Sequence, residues 1–139
     1  MDPNIDWEDF SRARAELGAD LIRILGYFRE DGEKSVLRIE EAMRARQAVA
    51  LVVPAHTLKG EAQQFGAAAL AELAEEIETV ARTCVELRAE PDELVPQVVK
   101  LRPLFLETMA AFERETNPLV ERRGFGRRAI AANQGFGRI

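Results

Sequence analysis

The sequence predicts an all-α protein: an antiparallel up-and-down four-helix bundle with an extra N-terminal helix and a flexible basic C-terminal tail. Apolar residues recur at steps of three and four through most of the 139 residues, which is the helical period. Aromatic residues make up only 6%, while Ala, Leu, Glu and Arg are abundant, which favours helices over strands. The apolar stripes are narrow and the connections short, as in helices that run up and down beside one another.

The first third of the chain predicts three short helices. An N-terminal helix spans about Asp6 to Ala15, a second runs from about Gly18 to Glu30, and a third from about Glu33 to Arg46. The apolar faces of the second and third helices carry Leu21, Ile24, Leu25, Phe28, Val36, Ile39 and Met43.

Three further helices follow. The first contains Pro54, so we expect a kink or a late start there, and Gly66 ends its pattern. A long helix comes next, and Pro91 opens the last one, which Pro96 and Pro103 should bend. The stripes of these helices are Leu51, Ala55, Leu58, Ala62 and Phe65; then Leu70, Leu73, Ile77, Val80, Cys84 and Leu87; then Leu94, Val98, Leu101, Phe105, Met109 and Phe112.

The C-terminal residues differ in charge from the rest of the chain. The net charge is −5, but residues 121–139 carry five arginines and one acid, which leaves the preceding residues strongly acidic. We therefore predict a domain over residues 1–117 and a poorly ordered basic tail over 118–139, in which Gly-Phe-Gly-Arg occurs twice. In an alternative interpretation, Phe125 and Phe136 of the tail dock on the bundle or on a partner. An acidic body argues against general nucleic-acid binding.

The sequence also favours a location for the protein in the cell. Cys84 is the single cysteine, so no internal disulfide can form, which fits a reducing cytosol. No apolar run is long enough to span a bilayer, and the acidic N-terminus does not look like a signal peptide. We expect a cytoplasmic protein that does not enter a membrane.

The single histidine lies beside the core stripe of its helix and not within it. It shares a second face with residues three and four positions away. This face consists of Val52, His56, Lys59, Gly60 and Gln63. A histidine in such a position should be at least partly solvated.

Three neighbours give His56 a possible chemistry. The ammonium of Lys59, one turn away, disfavours protonation of the ring and could stabilise a phosphoryl group on it. Gly60 would let another macromolecule approach, since it has no Cβ. If the next helix packs antiparallel after Gly66, Glu78 comes level with His56, accepts its Nδ1 proton and leaves Nε2 as the nucleophile.

Ordinary roles remain open for each residue. A lone surface histidine is usually inert, and Lys59 could be a solvated helix lysine. Gly60 could serve close helix packing, and Glu78 could belong to a solvated acidic face. Only their joint spacing favours a site.

The stretch "AHTLKGEAQQFGAAALAELAEEIE" resembles the signature helix pair of bacterial histidine-containing phosphotransfer (HPt) domains. The pattern of that family is His, Lys at +3, Gly at +4, Gly at +10, then Leu and a late Glu on the next helix. Here these residues are His56, Lys59, Gly60, Gly66, Leu70 and Glu78. The resemblance extends more loosely over residues 10 to 115.

The resemblance implies a histidine phosphotransfer protein of a two-component phosphorelay. His56 would be phosphorylated on Nε2 and exchange the group with aspartates of receiver domains in response regulators or hybrid kinases. Lys59 would neutralise the phosphoryl charge, Gly60 would admit the receiver and Glu78 would orient the imidazole. Val52, Ala55 and Gln63 would form part of the docking surface.

The resemblance also implies what the chain lacks. Mg²⁺ would belong to the partner receiver, so we expect no cofactor, no metal site and no nucleotide site in this chain, which would be a phosphoryl carrier and not an enzyme. The expected partners are a receiver domain and a hybrid or sensor histidine kinase. Two features depart from the family pattern: Glu61 stands where many relatives have a small residue, and Pro54 precedes the histidine by two positions.

Two other functions stay open at this point. A non-phosphorylated helical interaction module could bind or sequester receivers. A dimeric bundle could serve as the platform of a larger phosphotransferase, although about five helices in one chain favour a monomer.

Overall fold

In this computed structural model, residues 1–117 are described, and the predicted tail over 118–139 lies outside the described residues. Five α-helices follow one another, and no strand occurs within residues 1–117. Short 3₁₀ turns at Gly18–Asp20 and Asp92–Leu94 precede the second and the fifth helix. The helices are α1 Trp7–Leu17, α2 Leu21–Arg44, α3 Ala48–Gln64, α4 Ala68–Leu87 and α5 Val95–Thr116.

The chain divides into two compact units, one of residues 1–108 and a second that begins at Met109 and is described as far as Asn117. In the second unit, the Thr116 hydroxyl donates to the Phe112 carbonyl at 2.9 Å and the Asn117 amide donates to the Glu113 carbonyl at 2.9 Å. The first unit contains all the side chains of the candidate site. The predicted boundary between residues 1–117 and the tail stays a prediction.

The bundle is built from α2, α3, α4 and the first half of α5. Three-residue connections join α2 to α3 and α3 to α4, so these neighbours run antiparallel. Their apolar stripes form the core of the first unit. Its fully buried large side chains are Phe10, Val36, Ile39, Leu51, Leu58, Phe65, Leu70, Ile77, Leu94, Leu101 and Phe105.

The prediction of two short helices over residues 18–46 is wrong, because α2 is a single helix of 24 residues. The predicted helices left a gap between about Glu30 and Glu33, but Gly32 in this gap lies inside α2 against the ring of Phe105. A Cβ at Gly32 would stand 2.5 Å from Phe105 Cε1. The glycine thus serves close packing between α2 and α5, and the buried contact outweighs its poor helix propensity of about 1 kcal/mol.

The helix starts differ from those that the prolines predicted, while the predicted kink at Pro54 and bends at Pro96 and Pro103 stay predictions. α3 begins at Ala48, well before Pro54, so a late start is wrong, and the Pro54 ring is buried. α5 continues without interruption through Pro103 and begins at Val95, after a 3₁₀ turn that follows Pro91. At the ends of the predicted stripes, Leu87 is exposed and Met43 is only half-buried.

Arg102 joins α5 to α2 across the bundle. Its guanidinium donates to Glu40 at 2.9 and 3.0 Å and to Glu33 at 2.6 Å. Hydrogen bonds to both carboxylates raise the pKa of Arg102. A two-carboxylate contact of this kind fixes geometry better than a single exposed ion pair.

The turn between α3 and α4 is held by the N-terminal segment. Gly66 has φ +76°, and its carbonyl accepts a hydrogen bond from the Asp6 amide at 2.8 Å. The Ala69 amide donates to the Asn4 carbonyl at 3.1 Å, while the Asp6 side chain caps α1. The segment that precedes α1 therefore holds the turn between α3 and α4.

No helix within residues 1–117 is long and apolar enough to cross a membrane.

Replacing Gly66 by Ala should destabilise the fold by about 1–3 kcal/mol, since the positive φ disfavours a side chain. The added Cβ would also stand 2.6 Å from the Asp6 carbonyl oxygen. Urea unfolding followed by circular dichroism measures the effect. Gly26→Ala is the matched control: nothing lies within 4 Å of a Cβ there, so a gain of up to about 1 kcal/mol is expected. Equal stability changes in the two variants would contradict this role for Gly66.

Candidate functional site

His56 projects from α3 with its side chain 62% exposed. Its Nδ1 lies 3.0 Å from Oε2 of Glu78 on α4. The antiparallel pairing of α3 and α4 around Gly66 brings the two residues level, as the sequence predicted. The position predicted for Glu78 is therefore confirmed.

Glu78 is not part of a solvated face, because its side chain is only 7% exposed. Lys59 Nζ lies 2.9 Å from its Oε1 and forms an ion pair with it. Arg82 donates to Oε2 from Nε at 3.0 Å and from Nη2 at 2.8 Å. Burial opposes ionisation of Glu78, but the contacts from Lys59, Arg82 and His56 outweigh it and lower the pKa of Glu78 to about 2.

An ionised Glu78 decides which ring nitrogen carries the proton in the neutral imidazole. The carboxylate has no hydrogen to donate, so the 3.0 Å contact requires the N–H on Nδ1 of His56. The lone pair is then on Nε2, on the exposed ring. The site presents a nucleophilic nitrogen whose orientation is set by a buried anion.

Lys59 and Gly60 occupy different environments on the same face of α3. Lys59 is mostly buried against Glu78, so the ordinary interpretation as a solvated lysine is wrong. Gly60 is exposed, and nothing lies within 4 Å of the position its Cβ would take. Close helix packing therefore does not explain this glycine, in contrast to Gly32 and Gly66.

The three residues predicted to form the docking surface differ in their exposure to solvent. Val52 is half-buried and Gln63 is exposed on the His56 face of α3. Ala55 is fully buried, so its assignment to a docking surface is wrong: its side chain points into the core, where the apolar stripe had also placed it. Val49 and Val53, each 68% exposed, extend the His56 face instead. Their spacing of seven and three residues before His56 was a signal available in the sequence.

Arg82 is a residue of the site that the sequence interpretation missed. Its i, i+4 spacing from Glu78 on the same helix was the available signal. Glutamate–arginine pairs at this spacing are common on exposed helix faces, so the spacing alone does not identify Arg82 as a site residue. Only the burial of Glu78 between two helices makes this contact part of the His56 environment.

Glu61 lies at the seam between α3 and α2, on the other side of α3. Its side chain is half-buried, and its Oε1 is buried without a hydrogen-bond partner. Burial, followed by the charge of Asp31 and a hydrogen bond with it, raises the pKa of Glu61 to about 7. The departure from the family pattern at this position thus places a carboxyl with a pKa of about 7 next to Asp31.

Among residues 1–117, no group of three or more His, Cys, Asp or Glu side chains is arranged to hold a metal ion. The prediction that the chain uses no cofactor stays a prediction.

The fold and the site together define a helical bundle that displays one oriented histidine. The sequence profile of the Hpt domain family matches residues 23–114, and the chain belongs to this family. Among solved structures, the chain is similar to histidine-containing phosphotransfer protein B (HptB) from Pseudomonas aeruginosa PAO1. The TM-score is 0.71 at 24% sequence identity, over 83% of this chain and 96% of that one, which shows the same fold. No curated protein matches the chain significantly.

Replacing Glu61 by Gln should change the pH dependence of stability. A carboxyl with a raised pKa stabilises the folded state below its unfolded value of 4.5, and this contribution is lost as pH rises through about 7. The variant should be more stable than the wild type above pH 7, by about 1–2 kcal/mol after allowance for partial exposure.

Urea unfolding at pH 5 and pH 8 measures the difference. Glu75→Gln, on the exposed face of α4, is the matched control for the loss of one carboxylate. A constant offset between wild type and Glu61→Gln at both pH values would contradict the assignment.

Proposed function

We propose that the protein is a histidine phosphotransfer protein of a two-component phosphorelay. It carries a phosphoryl group on Nε2 of His56 to and from receiver-domain aspartates of response regulators or hybrid kinases. The observation that carries the proposal is the exposed His56 ring, hydrogen-bonded through Nδ1 at 3.0 Å to a buried, ionised carboxylate. Membership in the Hpt family supports it.

The transfer step uses the lone pair on Nε2. This nitrogen attacks the phosphorus of a phosphoaspartate, an N–P bond forms, the P–O bond breaks and the aspartate carboxylate leaves. The proton stays on Nδ1, so the phosphorylated ring carries a formal positive charge. The Glu78 carboxylate at Nδ1 compensates this charge, and the reverse step restores the neutral ring.

Lys59 and Gly60 act around this step. The Lys59 ammonium, paired with Glu78 in the resting site, lies beside the histidine and helps to neutralise the phosphoryl oxygens. Gly60 leaves open space one turn from His56, so a receiver can bring its aspartate to Nε2. Val52 and Gln63, together with exposed Val49 and Val53, form the surface on which the receiver docks.

The partners follow from this chemistry. A response-regulator receiver domain and a hybrid or sensor histidine kinase would supply and remove the phosphoryl group, and Mg²⁺ would be bound by the receiver. The protein would act as a monomeric cytoplasmic carrier without a cofactor or nucleotide site of its own, and not as an enzyme. It would bind neither nucleic acid nor a membrane.

Replacing His56 by Gln should abolish phosphorylation while leaving the fold intact, because the His56 side chain is 62% exposed. Labelling by a panel of phosphorylated receiver domains from the source organism measures the transfer, and the label should be acid-labile and base-stable. Circular dichroism provides the folding control. Equal labelling of the variant and the wild type would contradict the proposal, and a wild type that binds receivers without label would favour the interaction module.

Replacing Gly60 by Gln should slow phosphotransfer from a receiver by about tenfold or more, because the added side chain would obstruct the docked receiver. A destabilisation of the transition state by about 1.4 kcal/mol is enough for a tenfold decrease in rate. Stability should stay equal or rise, because helix propensity improves by up to about 1 kcal/mol. Gly26→Gln is the matched control on α2, where a Cβ also meets nothing within 4 Å. Stopped-flow or quenched transfer assays measure the rate, and an unchanged rate would contradict steric access as the role of Gly60.

A further inference from the structure

We propose that Arg82 is a positioning residue for phosphotransfer: it fixes Glu78 Oε2 on His56 Nδ1 and so directs the phosphoryl group to Nε2. The inference rests on the proposed function and adds a residue to it. It follows from the way in which three side chains, those of His56, Lys59 and Arg82, share the two oxygens of the Glu78 carboxylate.

The two oxygens of Glu78 have separate partners. Oε2 accepts from Nε and Nη2 of Arg82 at 3.0 and 2.8 Å and faces His56 Nδ1 at 3.0 Å. Oε1 faces Lys59 Nζ at 2.9 Å. The terminal torsion of a glutamate is broad, so the carboxylate rotates readily unless its oxygens are held. Arg82 binds Oε2 through two N–H groups and prevents this rotation.

Lys59 alone does not select an oxygen. Its ammonium is a point charge on a flexible stem and pairs with either carboxylate oxygen, or with both. The planar guanidinium of Arg82, anchored one turn along α4 from Glu78, approaches from a fixed direction. Without it, the carboxylate can turn towards Lys59, and the hydrogen bond that keeps the proton on Nδ1 weakens.

The charge balance of the site also supports a role for Arg82 in phosphotransfer. With a neutral ring, Glu78 cancels one of the two cations, and one positive charge remains in excess. The phosphoryl oxygens carry about −1.5 to −2 at neutral pH, and the phosphorylated ring carries +1. With Lys59, Arg82 and Glu78, the charges around the phosphoryl oxygens then sum to +2, whereas without Arg82 they sum to +1. Arg82 therefore also favours arrival of the phosphoryl group electrostatically.

A purely structural role for Arg82 would have a small effect. Its side chain is 58% exposed, and an exposed i, i+4 ion pair is a minor contributor to helix stability. Changes in the ring proton or in the site of phosphorylation would not follow from the loss of such a pair. These readouts separate positioning from stability.

The experiment compares full-length wild type with Arg82→Gln, Arg82→Lys and the control Arg12→Gln. Arg12 is an exposed arginine of α1 that pairs with Asp9, so its loss removes the same charge and a similar ion pair. Phosphoramidate serves as the donor: Nε2 attacks phosphorus, the N–P bond to the ring forms, and the bond to nitrogen breaks with release of ammonia. No receiver is needed.

Three quantities are measured: the protonated ring nitrogen by ¹⁵N NMR, the phosphorylated nitrogen by ³¹P and ¹⁵N coupling, and the initial rate. In Arg82→Gln we expect a detectable population with the proton on Nε2, a detectable share of phosphoryl on Nδ1, and a rate about three- to tenfold lower, as expected for a partly exposed charged contact. Arg82→Lys should recover the rate but not the single ring tautomer. Arg12→Gln should match the wild type.

The proposal is overturned if the ring proton and the phosphorylated nitrogen in Arg82→Gln are the same as in Arg12→Gln, whatever the rate. Failure of the proposed function looks different. In that case phosphoramidate modifies the wild type, but no phosphorylated receiver from the source organism labels it. The ring readouts still test Arg82 under that outcome.

Discussion

The buried carboxylate of Glu78 is the group on which the site depends. Removing a carboxylate from water costs several kcal/mol unless its charge is compensated. Here Lys59, Arg82 and the Nδ1–H of His56 provide that compensation from two helices. The exposed histidine is therefore coupled to the interior of the bundle, and its orientation does not depend on its own packing. The same anion that orients the neutral ring balances the charge of the phosphorylated one.

This arrangement requires a defined register between α3 and α4, which meet through the turn at Gly66. A shift of one residue along α4 would rotate Glu78 by about 100° around the helix and remove it from His56. The register is fixed by the positive φ of Gly66 and by the hydrogen bonds from Asp6 and to Asn4. The N-terminal segment, which lies before the family match, thus supports the geometry of a site to which it contributes no side chain.

Two glutamates on the central helix pair show how environment decides ionisation. Glu78 is surrounded by cationic and N–H donors, and its pKa falls to about 2. Glu61 has no cation to offset its partial burial and lies near another carboxylate, Asp31, so burial first and Asp31 second raise the pKa of Glu61 to about 7. The carboxylate of Glu78 at the α3–α4 contact is therefore compensated by cations, whereas the α2–α3 contact contains a carboxyl whose pKa is about 7.

The sequence by itself determined the helical class, the face shared by His56, Lys59 and Gly60, and the turn at Gly66, because helical geometry fixes the angular relation of residues within one helix. It also placed Glu78 level with His56 once antiparallel packing was assumed. Only the tertiary structure decided that α2 passes through Gly32, that Glu78 is buried between α3 and α4 beside Arg82, and that Asp31 lies near Glu61. The Arg82–Glu78 contact lies within α4, but its part in the site depends on the packing of α4 against α3. Burial, ionisation and steric room arise from the neighbours that packing provides, and the period of a single helix carries no information about them.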